Sequence, residues 1–222
     1  MAHTDFQVLL IGGCSGTGKS MLARDLSQVW GIPALQVDDF RLVLEHIVQQ
    51  GQQSPAGDST LWNSLRLSAI RRTGELFTRI TETPEVMCQA LVNTARVMSN
   101  AIEIVIAHHV ATRLPVIIEG DGILPSLAAR SAVAGLPLKP GQLKGLFLVE
   151  EDETRLLEHM LQRARGIEQH THADQQHISR AFWLYGQWLK EEAQRYSLPL
   201  ISPLPYETLV ERVVAHDLNR SE

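Results

Sequence analysis

Between an apolar run, Val8-Leu9-Leu10-Ile11, and a helical pattern formed by Met21, Leu22, Leu26, Val29 and Trp30 stand eight residues, Gly13-Cys14-Ser15-Gly16-Thr17-Gly18-Lys19-Ser20. They satisfy G-x-x-x-x-G-K-S/T, and few sequence features restrict a fold as tightly, because this pattern works only where a strand ends and a helix begins. The run before it is wholly apolar and stops at Gly12-Gly13, as a central parallel strand covered on both faces should. Glycines let the backbone wrap with its N–H groups pointing inward, and the helix that follows aims the positive end of its dipole at the same point. Such a concavity suits a polyphosphate. Lys19 is placed to reach β- and γ-phosphates and the Ser20 hydroxyl to ligate Mg²⁺. The candidate nucleotide contacts are therefore Gly13, Cys14, Ser15, Gly16, Thr17, Gly18, Lys19 and Ser20. Cys14 reads either as a small residue at a variable position or as a thiol activated by the local positive field. No G-x-G-x-x-G can be drawn through residues 12–20, which disfavours a dinucleotide site.

Beyond the loop, the alternation of apolar runs and helical periodicity predicts an α/β fold. Gly31-Ile32-Pro33 stops the first helix, Ala34 to Val37 forms strand two, and Phe40 to Gln50 resumes a helical pattern. Residues 61–111 carry only helix-period apolar positions, broken near Thr83-Pro84, where proline suits a first helical turn. Val116-Ile117-Ile118 and Leu143 to Val149 read as strands three and four, each followed by helix-forming sequence. Glu153 to Arg163 and Ala173 to Tyr196 are helices joined by a polar segment, Leu200-Ile201 is a minimal fifth strand, and Tyr206 to Leu218 is the closing helix. The expected architecture is a single domain over residues 1–222. It has a parallel sheet of about five strands with helices on both faces, a helical acceptor-binding insertion over 51–112 between strands two and three, and a lid over 163–172.

Ligands of open α/β sheets bind beyond the carboxyl ends of the strands, so acidic residues at two such ends can converge on one nucleotide. Asp38 and Glu119 stand there. Phosphoryl transfer needs Mg²⁺ held by oxygen ligands or their waters, and often a carboxylate that orients the acceptor hydroxyl or takes its proton. Asp38 is assigned to the acceptor side and Glu119 to the Mg²⁺ and water side; which of them is the general base stays open. The plainer alternative for Asp38 and Asp39 is helix capping ahead of Phe40. Gly120 and Gly122 would allow close approach of backbone to ligand, and Asp121 is either a ligand contact or a turn residue.

The balance of charge bounds the partners. The 222 residues carry a formal net charge of -5, and the pI is near 6.0. A nucleic-acid partner needs a basic face, so none is expected. Two cysteines without a CxxC pair point to reduced thiols and a cytoplasmic location. The segment from Met1 to Gln7 carries no Lys or Arg and leads into an apolar run too short for a signal peptide or membrane span.

At this point the chain resembles the 2-phosphoglycerate kinase-like branch of P-loop kinases, and the likeness covers nearly its whole length. It runs through Ile11 to Ser20, then Asp38-Asp39-Phe40-Arg41, similar to the family's D-x-I-R segment, and Thr83-Pro84-Glu85 opening a long helix. It continues with Val116-Ile117-Ile118-Glu119-Gly120, similar to the I-E-G strand end, Arg163-Ala164-Arg165-Gly166 with His170, and Arg180 with Tyr185. The resemblance implies the P-loop NTPase fold with a nucleoside-monophosphate-kinase-like core, a mobile lid, and ATP with Mg²⁺. It also implies that Arg41 contacts the acceptor and that Arg163 and Arg165 are lid arginines. Asp121-Gly122 replaces the Val-His with which the family typically continues, so one acceptor contact of the family is changed here. The additional N-terminal domain of archaeal members is not expected either.

His159, His170, His172 and His177 lack a settled metal-ligand spacing and read as solvated polar residues. Ile178, Phe182, Tyr185 and Leu189 follow a helical stripe that reads first as core packing. Arg66, Arg71, Arg72, Arg79 and Arg96 include candidates for a clamp on an acceptor carboxylate or phosphate. The leading expectation is a kinase that transfers the γ-phosphoryl group of ATP to a compact anionic small molecule, 2-phosphoglycerate or a related hydroxy acid. The alternatives are a nucleotide-dependent switch without transfer, and a kinase acting on a nucleoside, nucleotide or sugar derivative. Absence of an N-K-x-D segment weighs against a GTPase switch.

Overall fold

Alternation along the first strand sets up the layers. In the computed structural model, which describes residues 6–51, 82–163 and 166–218, β1 (Val8–Gly13) is buried at every position. Val8 and Leu10 join one apolar cluster, Leu9 and Ile11 another. A strand sends successive side chains to opposite faces, so two clusters mean two covered faces. β1 pairs in parallel with β3 (Val116–Glu119) on one side and β6 (Leu143–Leu148) on the other. β2 (Ala34–Gln36) flanks β3 and β7 (Leu200–Ile201) flanks β6, giving the all-parallel order β2-β3-β1-β6-β7. The chain leaves β1 for one half of the sheet and later crosses to the other, so its carboxyl end lies at the switch point where such sheets bind ligands.

Helices cover both faces. On one side α1 (Lys19–Trp30) contributes Leu22, Ala23 and Leu26, and α7 (Leu209–Leu218) contributes Leu209 and Val213. On the other lie α3 (Pro84–Thr112), α5 (Glu153–Gln162) and α6 (His172–Arg195). α3 starts on Thr83, whose hydroxyl accepts from the Val86 amide, with proline in its first turn. By length and composition alone it could cross a membrane, with a mean hydropathy of 1.2 over its most apolar window. Its buried stripe of Val92, Ala95, Met98, Ile102, Ile106 and Val110 is nevertheless that of a core helix packed on a sheet.

The structure departs from the sequence pattern in several segments. α2 (Val37–Gly51) begins at Val37 rather than Phe40 and β2 ends at Gln36, so Asp38 and Asp39 sit in a first helical turn and not at a strand terminus. That turn favours acids through the helix dipole. The sequence after β3, expected to be helix-forming, holds over residues 123–142 only the four-residue α4 (Pro125–Ala128) and a two-stranded hairpin, β4 (Ala132–Val133) with β5 (Leu136–Pro137). The segment between α5 and α6 is not wholly polar: it carries a 3₁₀ turn, Ile167–Gln169, with Ile167 buried. Of the expected insertion, residues 52–81 lie outside the described residues, and with them Arg66, Arg71, Arg72 and Arg79.

Candidate active site

Gly18 takes φ 84° as the residue capping α1, and no side chain caps its first turn. That turn holds no acidic residue either. The orphan amides and the dipole therefore point at a pocket instead of a capping oxygen. The loop is closed by its own polar groups: Thr17 Oγ1 donates to the Cys14 carbonyl at 2.9 Å and Lys19 Nζ to the same oxygen at 2.7 Å. Lys19 is only 5% exposed, and a buried ammonium needs a counter-charge. Asp121 supplies it, with Oδ1 2.7 Å from Nζ.

Glu119, the last residue of β3, lies against Ile11 of β1 and Gln36 of β2 and is buried. Burial raises its carboxyl above the ordinary carboxylate range, against the pull of Lys19 and a hydrogen bond with Ser20, and Asp121 and Asp38 add repulsion. Asp38 pairs with Arg41, whose Nη2 is 3.2 Å from Oδ1. Arg163 closes the C-terminus of α5 and brings Nη1 to 3.5 Å from the Ser15 hydroxyl. Lys19, Ser20, Asp38, Glu119, Asp121 and Arg163 thus line one pocket with Ser15, Gln36 and Gly120. Arg41 stands behind Asp38, and Arg165 lies outside the described residues.

A hydroxyl bonded to a carboxylate beside a lysine and two further carboxylates is a donor set that fits a hydrated Mg²⁺, which keeps several waters and takes few protein ligands. Among the described residues no cluster of three or more His, Cys, Asp or Glu could hold a metal directly. Two of the four histidines serve elsewhere: His159 packs on Tyr206, and His177 hydrogen-bonds the Glu82 carbonyl. A roomier cleft of ≈ 240 Å³ opens at the opposite edge of the sheet, near Leu143, Gly145, Leu198 and Val213. It is mostly apolar and lacks the phosphate loop.

Cys14 turns away from the pocket. Its thiol is buried against Gly186 of α6, where a β-carbon would sit 3.0 Å from Sγ. Burial pushes the thiol up to about 12 although Lys19 pulls it down, so Cys14 is a packing group and not an activated nucleophile. Arg180 pairs with Glu153 and lies over the Trp183 ring. Three features escape sequence patterning. Gln36 lines the pocket as the last residue of β2. The Tyr206 ring covers Gly18, where a β-carbon would meet it at 2.6 Å. The buried Tyr185 donates its hydroxyl to the Asp121 carbonyl at 2.5 Å. The stripe containing Tyr185 signals a buried position, but nothing local signals a bond across 64 residues.

The loop, the strand order and the helices on both faces define the P-loop NTPase fold. No protein-family model matches the sequence, and no curated protein matches it significantly. Solved structures do match over almost the whole chain. A gluconokinase from Sinorhizobium meliloti 1021 superposes with a TM-score of 0.50 at 16% identity, covering 98% of this chain and 94% of its own. A shikimate kinase from Acinetobacter baumannii, in complex with shikimate, gives 0.51 at 12% identity, with 99% and 97% covered. At these identities the likeness is one of fold.

Proposed function

We propose that this chain is an ATP-dependent kinase that phosphorylates a compact anionic small molecule, with 2-phosphoglycerate or a related hydroxy acid as first candidate. The observation that carries the reading is the pocket itself: the loop lysine, three carboxylates and an arginine from beyond α5 surround the uncapped end of α1. The two neighbours of the same fold and span are both named as kinases, which agrees with it. Residues 1–222 would act as one domain, with 51–112 as the acceptor-binding insertion and 163–172 as the lid.

Each group then has a task. Lys19 and the loop amides hold the β- and γ-phosphates. Ser20 would ligate Mg²⁺ and Glu119 would reach it through water; the ion, when bound, neutralises charge on the phosphates. Asp38 orients the acceptor hydroxyl and receives its proton as that oxygen bonds to the γ-phosphorus. The bond from phosphorus to the β–γ bridging oxygen breaks, and ADP leaves with that oxygen. Arg163, with Arg165, stabilises the equatorial oxygens, and Arg41 beside Asp38 holds the acceptor's anionic group through its planar fork. Gly120 and Asp121 complete the acceptor side.

Incubation with MgATP and a panel of phosphorylated and carboxylated metabolites, followed by ³¹P NMR, should reveal one phosphorylated product and ADP. Lys19→Ala should abolish it. Nucleotide binding without any product across the panel would instead favour a switch, and a neutral nucleoside or sugar as best substrate would end the anionic-acceptor reading.

A further inference from the structure

The three pocket carboxylates are held differently. Glu119 is buried and bonded by Ser20, and Asp38 is paired with Arg41. Asp121 is paired with Lys19, the cation the phosphate loop must present to a polyphosphate, and its side chain is 37% exposed to the pocket. It cannot retreat with its backbone, because the buried Tyr185 hydroxyl anchors its carbonyl and the preceding Gly120 amide donates to Ile11 O of β1 at 3.2 Å. Its carboxylate therefore stays in the pocket whichever partner Lys19 has.

We propose that Asp121 is a counter-ion gate on Lys19 that sets the order of binding. Before nucleotide enters, Asp121 and Lys19 neutralise one another. Entry of a triphosphate moves the ammonium from Asp121 to the β- and γ-phosphates, since of its three N–H donors one is held by the Cys14 carbonyl and bonds to both phosphates take the other two. The carboxylate so released accepts a hydrogen bond from a second hydroxyl of the acceptor, distinct from the one on which Asp38 acts, which a polyhydroxy acid supplies and 2-phosphoglycerate does not. That hydroxyl is poorly received while Asp121 is engaged, so nucleotide binds first. The same charge repels a second anionic group nearby, which directs the acceptor's carboxylate or phosphate towards Arg41. The acceptor half of this inference rests on the kinase reading; the exchange at Lys19 needs nucleotide binding alone.

The test is isothermal titration of MgAMP-PNP into the full chain and its Asp121→Asn, Asp121→Ser and Lys19→Ala variants at low and high NaCl. Removing the competing carboxylate should tighten binding about three- to tenfold at low salt, with the gain shrinking as salt screens the pair. Unchanged or weaker binding in both Asp121 variants, with circular dichroism showing them folded, would overturn the gate. No binding by the unaltered chain would instead defeat the nucleotide site, a distinguishable failure. With an acceptor identified by the ³¹P panel, Asp121→Asn should raise the acceptor KM about tenfold or more while lowering the ATP KM. An unchanged acceptor KM alongside tighter nucleotide overturns the acceptor half.

Discussion

Asp38 and Arg163 reach the pocket from different elements, a first helical turn and the end of α5, so each can be removed without unmaking the loop. Asp38→Ala and Arg163→Ala should lose about a hundredfold or more in both kcat and kcat/KM while keeping MgATP affinity. Initial rates and titration calorimetry check this, and normal turnover in both variants would reassign the two residues. Arg41→Lys keeps the charge beside Asp38 but loses the fork, so acceptor KM should rise more than ATP KM. Cys14 and Tyr185 set an alkaline limit. Burial raises both, the thiol from 9.0 to about 12 and the phenol well above 10.0. The folded chain then holds more protons than the unfolded one above pH 9, so their contribution is full below that pH and falls as pH rises towards 12. Denaturant midpoints measured between pH 8 and 11 should decline, and Tyr185→Phe should flatten the part of the slope above pH 10.

Helix α6 braces the site by close approach. Gly186 leaves room for Cys14 Sγ, and one residue earlier Tyr185 holds the Asp121 turn, so two sides of the pocket are referred to one rigid helix. Overpacking of about 1–3 kcal/mol against Sγ is partly offset by the ~1 kcal/mol that alanine gains over glycine in a helix interior, so Gly186→Ala should destabilise by about 0–2 kcal/mol. Adding Cys14→Ala should recover most of that, because the atom in the way is Sγ; strictly additive losses in a double-mutant cycle would show that the two do not press on one another. Legibility also varies between elements. β1, β3 and β6 were readable as apolar runs because strands covered on both faces need little else. The hairpin of Ala132–Val133 and Leu136–Pro137 was not, since two-residue strands are too short to show an alternation. The start of α2 moved to Val37 because that side chain packs beneath Gly120 and Gly122, a contact between segments some eighty residues apart.

Nucleotide binding should be felt across the whole fold, because the loop is tied to β1, α1, α5 and α6 at once. MgATP at about a hundredfold excess over its dissociation constant adds roughly 2.7 kcal/mol, which for a chain of this size corresponds to about 5–10 °C in Tm. Differential scanning fluorimetry should show that shift in the unaltered chain and almost none in Lys19→Ala; equal shifts would move the site elsewhere. What the sequence determined by itself is the phosphate loop, the α/β alternation and the five strands of the parallel sheet, since each follows from local periodicity and from a motif whose spacing is its mechanism. It also marked Asp38 and Glu119 as strand-end acids, one for the acceptor side and one for Mg²⁺ and water, and left Asp121 as a ligand contact or a turn residue. The Asp38–Arg41 pair is local, three residues apart on α2, but the tertiary structure decided which acid is buried and which meets Lys19. Those outcomes depend on β3 lying beside β1 and on α6 crossing beneath both the loop and the Asp121 turn. Burial and the pairing of Lys19 with Asp121 are properties of that three-dimensional neighbourhood, which no local spacing encodes.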